Sequence, residues 1–411
     1  RGGTDRYSDK KENKEMFVKY ADPADMTNLQ GSYQKIDNHY EKNYGEALLM
    51  FNKTFAEDFD VTANLGTSAE LISETGMTWK SQGLKYNGMF STNNNKRDPK
   101  TASLDSGYNR GEYLGAVFAS AQLAYKRYLY LDLTARNDWS SRLPADNRSF
   151  FYPSVGLGFV FTDAFKLPSW YNYGKVRASY AIVGNSTPSI YFTNNSFNYG
   201  SFDNSAITNN WFDASVPPTN VIPEKTYSWE FGLESRFLNG RLGLDLAYYT
   251  NRTKNQIITV PVTPSTGATG MKMNAGEIGN YGVELQLTGT PIETKDFSWE
   301  SILNFSFTHN ELISLVEGMD DRQIAAPWDA ALFKAVPGYA TPSVFIRKWM
   351  RDDQGNMLVD KNGNYMQESE YTYAGSAAPK FIGGFTNTFR YKNVSLSVHI
   401  DGSFGGKLLS F

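Results

Sequence analysis

The chain has 411 residues, no cysteine and a formal net charge of −3 at pH 7. This near-neutral charge argues against a nucleic-acid partner held through phosphate contacts. The lack of cysteine excludes disulfides and thiolate metal sites, and no apolar run reaches the roughly 18 residues that indicate a transmembrane helix. The first residues, Arg1 to Asp5, contain no apolar signal-peptide core, so the chain is either cytoplasmic or a mature or shortened form of something larger.

The first part of the chain combines polar stretches with one clear hairpin. Residues 1–45 are polar and weakly patterned, which predicts a loop that holds at most a strand fragment. The hairpin runs from Glu46 to Phe55 and from Phe59 to Leu65, with its turn at Glu57-Asp58. Residues 72–111 are rich in Thr, Asn, Lys and Gly, and predict a long loop with a hairpin of its own near Leu84–Phe90.

Four more strands are predicted before the middle of the chain. They are Tyr113–Tyr125, Tyr128–Asn137, Tyr152–Phe161 and Lys175–Val183, with a turn at Lys126-Arg127 and a loop at 139–151. A short helical turn is expected between Thr162 and Gly174. Residues 184–225 are a very long loop rich in Asn, Ser and aromatic residues.

The stretch from Thr226 to Arg252 predicts the best-defined hairpin. Apolar residues alternate with polar or small ones on both sides of Asn239-Gly240, two residues that suit the positive φ angles of a type I′ turn. Each strand runs about eleven or twelve residues, whereas strands in soluble proteins average roughly five or six. A tilted strand needs about nine to eleven residues to cross a bilayer. The length therefore favours a membrane barrel, with a long hairpin of a soluble sandwich as the alternative.

The last predicted strands are Glu277–Gly289, Phe297–Thr308, Lys380–Tyr391 and Val394–Ser403, with long connections at 254–276 and 309–378. Short and long connections thus alternate along the chain, as they do in outer-membrane barrels with short periplasmic turns and long extracellular loops. We therefore predict an all-β fold: a partial transmembrane antiparallel β-barrel of about twelve strands, in one contiguous sheet in chain order. Asn239-Gly240 and Lys392-Asn393 should face the periplasm, and 184–225 and 309–378 the outside.

The period-2 alternation also predicts which face of each strand meets lipid. The residues expected to face lipid are Leu129, Leu131, Leu133, Leu242, Leu244 and Leu246, and those expected to face the lumen are Asp132, Asp245 and Glu284. The carboxylates Glu230 and Glu234 lie on the same polar faces. Paired carboxylates could serve glycoside hydrolysis, but a wet lumen explains them better.

Metal and nucleophile chemistry finds little support in the sequence. His39, His309 and His399 lie far apart, without metal-ligand spacing. Asp360–Asn364 resembles the start of a calcium loop, but Tyr365 and Tyr371 stand where that pattern needs Gly and Glu. Turns explain this run and Asp353–Asn356 better. We predict no catalytic residue, no metal site and no cofactor.

Six blocks of the chain resemble the SusC/RagA family of TonB-linked outer-membrane transporters. They are Arg136–Arg142 with Phe151–Val155, Pro223–Glu230, Asn274–Glu284, Asp352–Asn356, the strand after Pro379, and Asp401–Lys407. Each block is weak alone, but the ordered set is specific and extends from about Glu46 to the last residue.

The resemblance implies a plugged barrel of roughly 22 strands, integral to the outer membrane of a gram-negative cell. It also implies a plug and a TonB box that couples import to the inner-membrane TonB complex, and a SusD-like surface lipoprotein over the extracellular mouth. Family members import oligosaccharides or oligopeptides. Neither plug nor TonB box is found in this sequence, so residues 1–411 are expected to be part of the barrel of a longer polypeptide, and not an enzyme.

Exposed aromatics among amides suit sugar or peptide binding, because rings stack on apolar faces while amides form hydrogen bonds. The candidates for contact with substrate or with the lipoprotein lid are Tyr191, Phe192, Tyr199, Trp211, Phe212 and Trp328. The alternative functions are a non-transporting β-rich binding or adhesion protein and, more remotely, a secreted β-rich hydrolase.

Overall fold

The computed structural model describes residues 1–16, 31–82, 84–86, 88–94, 103–187, 197–201, 208–212, 215–216, 218, 220–263, 265, 268 and 270–409. One large antiparallel sheet of 13 strands dominates these residues. Its strands are β1 (Gly2–Glu15), β2 (Ser32–Phe55), β3 (Phe59–Gln82), β4 (Ser103–Tyr125), β5 (Leu129–Ser140), β6 (Ser149–Val160), β7 (Tyr171–Asn185), β11 (Glu224–Phe237), β12 (Leu242–Lys254), β15 (Glu277–Glu293), β16 (Phe297–Ser314), β21 (Phe381–Tyr391) and β22 (Val394–Phe404). They pair in chain order, which confirms the prediction of a single contiguous sheet.

Nine shorter strands form three small sheets on the long connections. They are β8 (Phe197–Ser201), β9 (Thr208–Phe212), β10 (Ser215–Val216), β13 (Ile257–Pro261), β14 (Gly270–Asn274), β17 (Arg322–Trp328), β18 (Ala331–Ala335), β19 (Ser343–Trp349) and β20 (Gln367–Ser376). Helix α1 (Phe161–Ala164) confirms the short helical turn predicted before Gly174, and Ala145–Asn147 form one 3₁₀ turn. In the described part of the chain, no helix is long and apolar enough to cross a membrane.

Most connections of the large sheet alternate in length as predicted. Short turns of two to four residues follow β2, β4, β11, β15 and β21, and long segments follow β1, β3, β7, β12 and β16, whereas the connections after β5 and β6 are similar in length, at eight and ten residues. At the best-defined hairpin, Asn239 and Gly240 have φ angles of 59° and 81°, and the amide of Arg241 donates to the carbonyl of Leu238. This is the geometry of the expected type I′ turn, in which both central residues need positive φ.

The register gives the sheet two distinct faces. Leu246 pairs with Leu233 on one side and with Leu285 on the other, and Leu285 pairs with Phe305, so these four residues form an apolar row across neighbouring strands. The residues predicted to face lipid all share this face, which we term the lipid face. Asp132, Asp245 and Glu284 share the opposite face, which we term the luminal face.

Two bands of aromatic residues mark the edges of the membrane on the lipid face. Near the short turns, Phe59 packs on Tyr125 with ring centroids 4.8 Å apart. Near the other end, Tyr180 packs on Trp229 at 4.6 Å. Aromatic girdles at both interfaces frame the apolar band of an outer-membrane barrel. We place the upper boundary at Tyr113, beyond which the lipid face becomes polar.

Two sequence-based predictions about the start of the chain are wrong. Within 1–45, predicted as loop, residues 2–15 form β1 and residues 32–45 form the first half of β2; within 72–111, also predicted as loop, residues 72–82 extend β3 and residues 103–111 extend β4. The large sheet therefore has 13 strands instead of about twelve. We term the part of β1–β4 beyond the upper girdle the projecting wall: Asp5–Glu15, Ser32–Lys42, Ile72–Gln82 and Ser103–Glu112. Both of its faces meet water, so it lacks the apolar alternation by which strands are recognised.

Candidate functional site

The luminal face carries an ionic network across three strands. Arg177 of β7 bonds Glu230 of β11 (Nε to Oε1, 3.4 Å) and Asp245 of β12 (Nη1 to Oδ1, 3.2 Å). Its side chain crosses Gly232 of β11, where any side chain would meet the guanidinium. Glycine at this position therefore lets one cation reach two strands away. Glu230 and Asp245, two of the carboxylates expected to face a wet lumen, thus both bind a luminal arginine.

Other polar side chains, both charged and uncharged, lie on the luminal face of the neighbouring strands. Gln122 Nε2 donates to Asp132 Oδ1 at 2.7 Å, and Gln286 Nε2 donates to Asn304 Oδ1 at 2.9 Å. A shallow recess in the luminal face is lined by Arg177, Asp245, Glu284, Gln286, Asn304 and Ser306, among others. The luminal wall is therefore a wet, hydrogen-bonding surface that a polar solute can contact.

Arg136, Asp138 and Tyr152 form a tight cluster near the upper end of β5 and β6. Arg136 Nε donates to Asp138 Oδ1 at 2.7 Å and to the Tyr152 hydroxyl at 2.9 Å, and that hydroxyl also bonds Asp138. The Asp138 side chain is only 9% exposed. All three residues belong to one of the six sequence blocks noted above, and their hydrogen bonds fix β5 against β6.

A ladder of asparagines anchors the extracellular part to the barrel strands. Asn280 of β15 donates to Asn251 Oδ1 of β12 at 2.8 Å, and Asn310 of β16 donates to Asn280 Oδ1 at 2.6 Å. Asn310 Oδ1 then accepts from the Thr341 amide at 2.8 Å. Side-chain amides thus extend the ladder from the membrane strands into the long connection after β16.

That connection folds into an extracellular sheet in the order β17-β18-β19-β20, with its own small core of Leu332, Val344 and neighbours. Between β19 and β20, two small turns repeat. Asp352 Oδ1 accepts from the amides of Gln354 and Asn356, and Asp360 Oδ1 accepts from those of Asn362 and Asn364.

Asn356 and Asn364 also donate through their side chains to the Oδ2 atoms of Asp352 and Asp360. Hydrogen bonds from Asn356 lower the pKa of the Asp352 carboxyl, and those from Asn364 lower that of Asp360. The carboxylates are already occupied by amide donors, which agrees with turns and not with the start of a calcium loop. Among the described residues, no group of three His, Cys, Asp or Glu is arranged to hold a metal ion.

The residues predicted to contact substrate or lid lie on the extracellular connections. Tyr199 is in β8, Trp211 and Phe212 are in β9, and these two strands form a hairpin in which Tyr199 pairs with Asn210. Trp328 ends β17. Tyr191 and Phe192 lie outside the described residues. A direct contact of any of the six with a ligand stays a prediction.

Arg177 was not predicted as a luminal residue, although the signal was present, because it lies on a predicted strand in alternation with apolar residues. Arg177 follows Lys175 and precedes Ser179 on one face of β7, and the register places that face in the lumen. Only the carboxylates beside it were considered as luminal charges. The alternation of the strand Tyr128–Asn137, by contrast, does place Arg136 on the polar face with Asp132.

Comparison with known proteins supports a specific family. A sequence model described as "TonB dependent receptor-like, beta-barrel" matches residues 3–401. The chain is 26% identical over 386 residues to TonB-dependent receptor P26 of Formosa agariphila, covering 88% of this chain and 39% of that protein. It is 29% identical over 303 residues to TonB-dependent receptor SusC of Bacteroides thetaiotaomicron, covering 67% of this chain and 30% of SusC.

The fold is also found among solved structures. The RagAB peptide importer in its closed-closed state superposes with a TM-score of 0.82 at 22% identity, covering 98% of this chain and 45% of the importer chain. The chain thus spans less than half the length of each of these three proteins. The sheet order, the two faces and these matches confirm the resemblance to SusC and RagA: the chain belongs to the TonB-dependent receptor β-barrel family and is integral to the outer membrane.

Proposed function

We propose that residues 1–411 are barrel sequence of an energised importer of large nutrients, either oligosaccharides or oligopeptides. The importer works with a SusD-like surface lipoprotein, and its plug and TonB box lie elsewhere in the full polypeptide. The observation that supports this proposal is the largely polar luminal face with its recess around Arg177, together with the ordered extracellular sheets on the long connections. An adhesin needs an outer surface but no hydrogen-bonding path through the membrane.

Uptake by a deletion strain tests the import function. The strain should lose growth on at least one defined oligosaccharide or oligopeptide, and the full-length gene should restore it. A second deletion, of the lipoprotein encoded with it, should cause the same loss. Unimpaired uptake of every glycan and peptide tested, with a surface-adhesion defect instead, would support the binding or adhesion alternative.

The extracellular aromatics offer a more local test. Changing Tyr199→Ala together with Trp211→Ala should reduce uptake or lipoprotein association while barrel assembly is unaffected, because aromatic anchors dominate many interfaces. Asn209→Ala in the same hairpin is the matched control. If both readouts matched those of the unaltered protein, residues 184–225 would have no part in the entrance.

A further inference from the structure

The inner face of the projecting wall is a continuation of the luminal face. β2 and β3 pair from Ser32–Gln82 to Phe55–Phe59 without a bulge, and β3 and β4 stay in one register up to Thr78. Because side chains alternate strictly along an unbroken strand, the parity that faces the lumen in the membrane faces the mouth above it. Tyr40, Glu74 and Arg110 are cross-strand neighbours in one such row, with Tyr7 on β1.

Tyrosine rings occupy this inner face. Tyr7 and Tyr40 stack with centroids 4.7 Å apart and planes within 19°. Tyr108 of β4 leans across Gly76 of β3 as far as Asn38 of β2, and a methyl group on Gly76 would overlap both the ring and the Asn38 amide oxygen. Tyr108 is nevertheless 39% exposed. Gly76 thus lets one ring lie low on the sheet with part of its surface open to the mouth.

Polar side chains surround these rings, and the two charged ones do not form an ion pair with each other. Glu74 and Arg110 are directly opposite in the register, yet Arg110 lies over the Tyr108 ring, with its guanidinium carbon 4.5 Å from the centroid. No ion pair of the described residues involves either of them. The face therefore presents a carboxylate, a guanidinium and the Asn38 amide within two residue rows of the exposed rings of Tyr7 and Tyr108 and the half-buried ring of Tyr40.

We propose that this face, formed by Tyr40, Tyr108, Asn38, Glu74 and Arg110, binds sugar rings of an uncharged oligosaccharide as it enters the transporter. This inference rests on the proposed import function and selects one of its two substrate classes. Aromatic faces stack on the apolar faces of sugars, while carboxylate, amide and guanidinium groups bond to hydroxyls.

The interior strands of this face offer no site for strand addition by a peptide. In that mode an extended peptide forms backbone hydrogen bonds to a free sheet edge, and pockets take its alternate side chains. Here the backbones of β2 and β3 are paired on both sides, and the two strands are interior to the wall. On β2 and β3 only the side chains are open to a ligand, and their donors and acceptors match a ring-shaped, hydroxyl-rich one.

The test uses the purified full-length protein with its co-purifying lipoprotein. The probes are labelled heptasaccharides of α-1,4-glucan, β-1,3-glucan and β-1,4-xylan, with a tryptic digest of casein as the peptide probe. Tyr40→Ala and Tyr108→Ala should each weaken binding of the preferred glycan by about tenfold, as expected when one aromatic anchor is lost. Gly76→Ala should do the same, because it displaces the Tyr108 ring and leaves every polar group in place.

Matched controls lie on the same strands. Thr75→Ala and Asn109→Ala alter the outer face of the wall beside Gly76 and Tyr108, and should leave binding unchanged. Gly66→Ala displaces Phe118 inside the barrel in the same way that Gly76→Ala displaces Tyr108. It therefore measures how far the displacement of an aromatic ring outside the proposed site affects glycan binding. Heat-modified migration in gels verifies that each variant has folded.

Wild-type glycan affinity in the folded Tyr40→Ala and Tyr108→Ala variants would overturn the site while the import function stands. Binding of casein peptides that is lost in the same variants would overturn the sugar assignment. If the wild-type protein neither binds nor imports any probe of either class, the proposed function itself fails, and the site fails with it.

Discussion

Leu246 lies at the middle of the membrane-spanning part of β12, and a charge there provides a quantitative test of the two-faced sheet. Leu242, four residues away, pairs with Phe237 in the lower girdle, and Thr250, four residues away in the other direction, pairs with Trp229 in the upper one. Leu246 is 37% exposed, and its neighbours in the row are Leu233 and Leu285. Leu246→Arg therefore places a guanidinium at the bilayer midplane.

The free-energy cost of an arginine on the lipid face depends on its depth in the bilayer. An arginine at the midplane of a barrel's lipid face costs about 2–4 kcal/mol, and one near the interface about 0–1 kcal/mol. The unfolding equilibrium should therefore shift about 30-fold to 900-fold for Leu246→Arg, since each 1.36 kcal/mol is a factor of ten. Leu242→Arg, at the girdle, should shift it by less than about sixfold by the same conversion.

Gln286→Arg is the matched control, because Gln286 pairs with Asp245 on the luminal face at nearly the same depth. Denaturant titration of the full-length protein in lipid vesicles, followed by tryptophan fluorescence, measures all three. The expected order of destabilisation is Leu246→Arg, then Leu242→Arg, with Gln286→Arg within about 0.5 kcal/mol of the wild type. A larger loss for Gln286→Arg than for Leu246→Arg would mean that the faces are reversed.

Three further outcomes are expected. Arg177→Met should destabilise the barrel by only about 0.2–1 kcal/mol per ion pair lost, because the network is partly exposed. A double-mutant cycle with Asp245→Asn measures the coupling free energy of this pair. A coupling of zero would show that the ion pair contributes nothing to stability. Gly232→Val should disrupt the same contacts by obstructing Arg177, and should give no extra loss in an Arg177→Ala background, because alanine lacks the Cγ, Nε and Cζ atoms that a side chain at residue 232 would meet. The hydrogen bonds that lower the pKa of Asp360 stabilise the turn fully above the ordinary aspartate pKa of about 3.9, and this stability is lost as pH falls through the lowered value. Protease sensitivity at 359–366 should therefore rise in acid, and Asp360→Asn should abolish that dependence; cleavage unaffected by pH in the wild type would contradict it.

The membrane-spanning strands could be predicted because lipid imposes a pattern on them. Leu242, Leu244 and Leu246 must be apolar and Asp245 can be polar, so the sequence itself alternates, and short turns at Lys126-Arg127 and Asn239-Gly240 separate the strands. The same physical constraint predicted both the sheet order and the two faces.

The projecting wall shows where that constraint ends. Ser32–Lys42 has water on both sides, and its strand conformation comes from pairing with residues far along the chain, such as Lys80 opposite Gln34. No local pattern encodes such pairing. The extracellular sheet of β17–β20 escaped prediction for the same reason. The Arg177 network was accessible in principle, but it required the register between β7, β11 and β12, which the sequence does not specify.

The length of β2 has a consequence for where solutes first meet the protein. From Asn43, level with Tyr113 at the upper girdle, to Ser32 the strand rises about 25–30 Å above the girdle, at roughly 3.3 Å per residue and a tilt near 40°. The polar head-group layer of a leaflet is only about 5–8 Å deep. The end of the projecting wall at Ser32 and Gln82 therefore lies well above the membrane surface. A bulky polymer can reach it without displacing lipid. An antibody against the rim should bind intact cells whose surface polysaccharide has been trimmed.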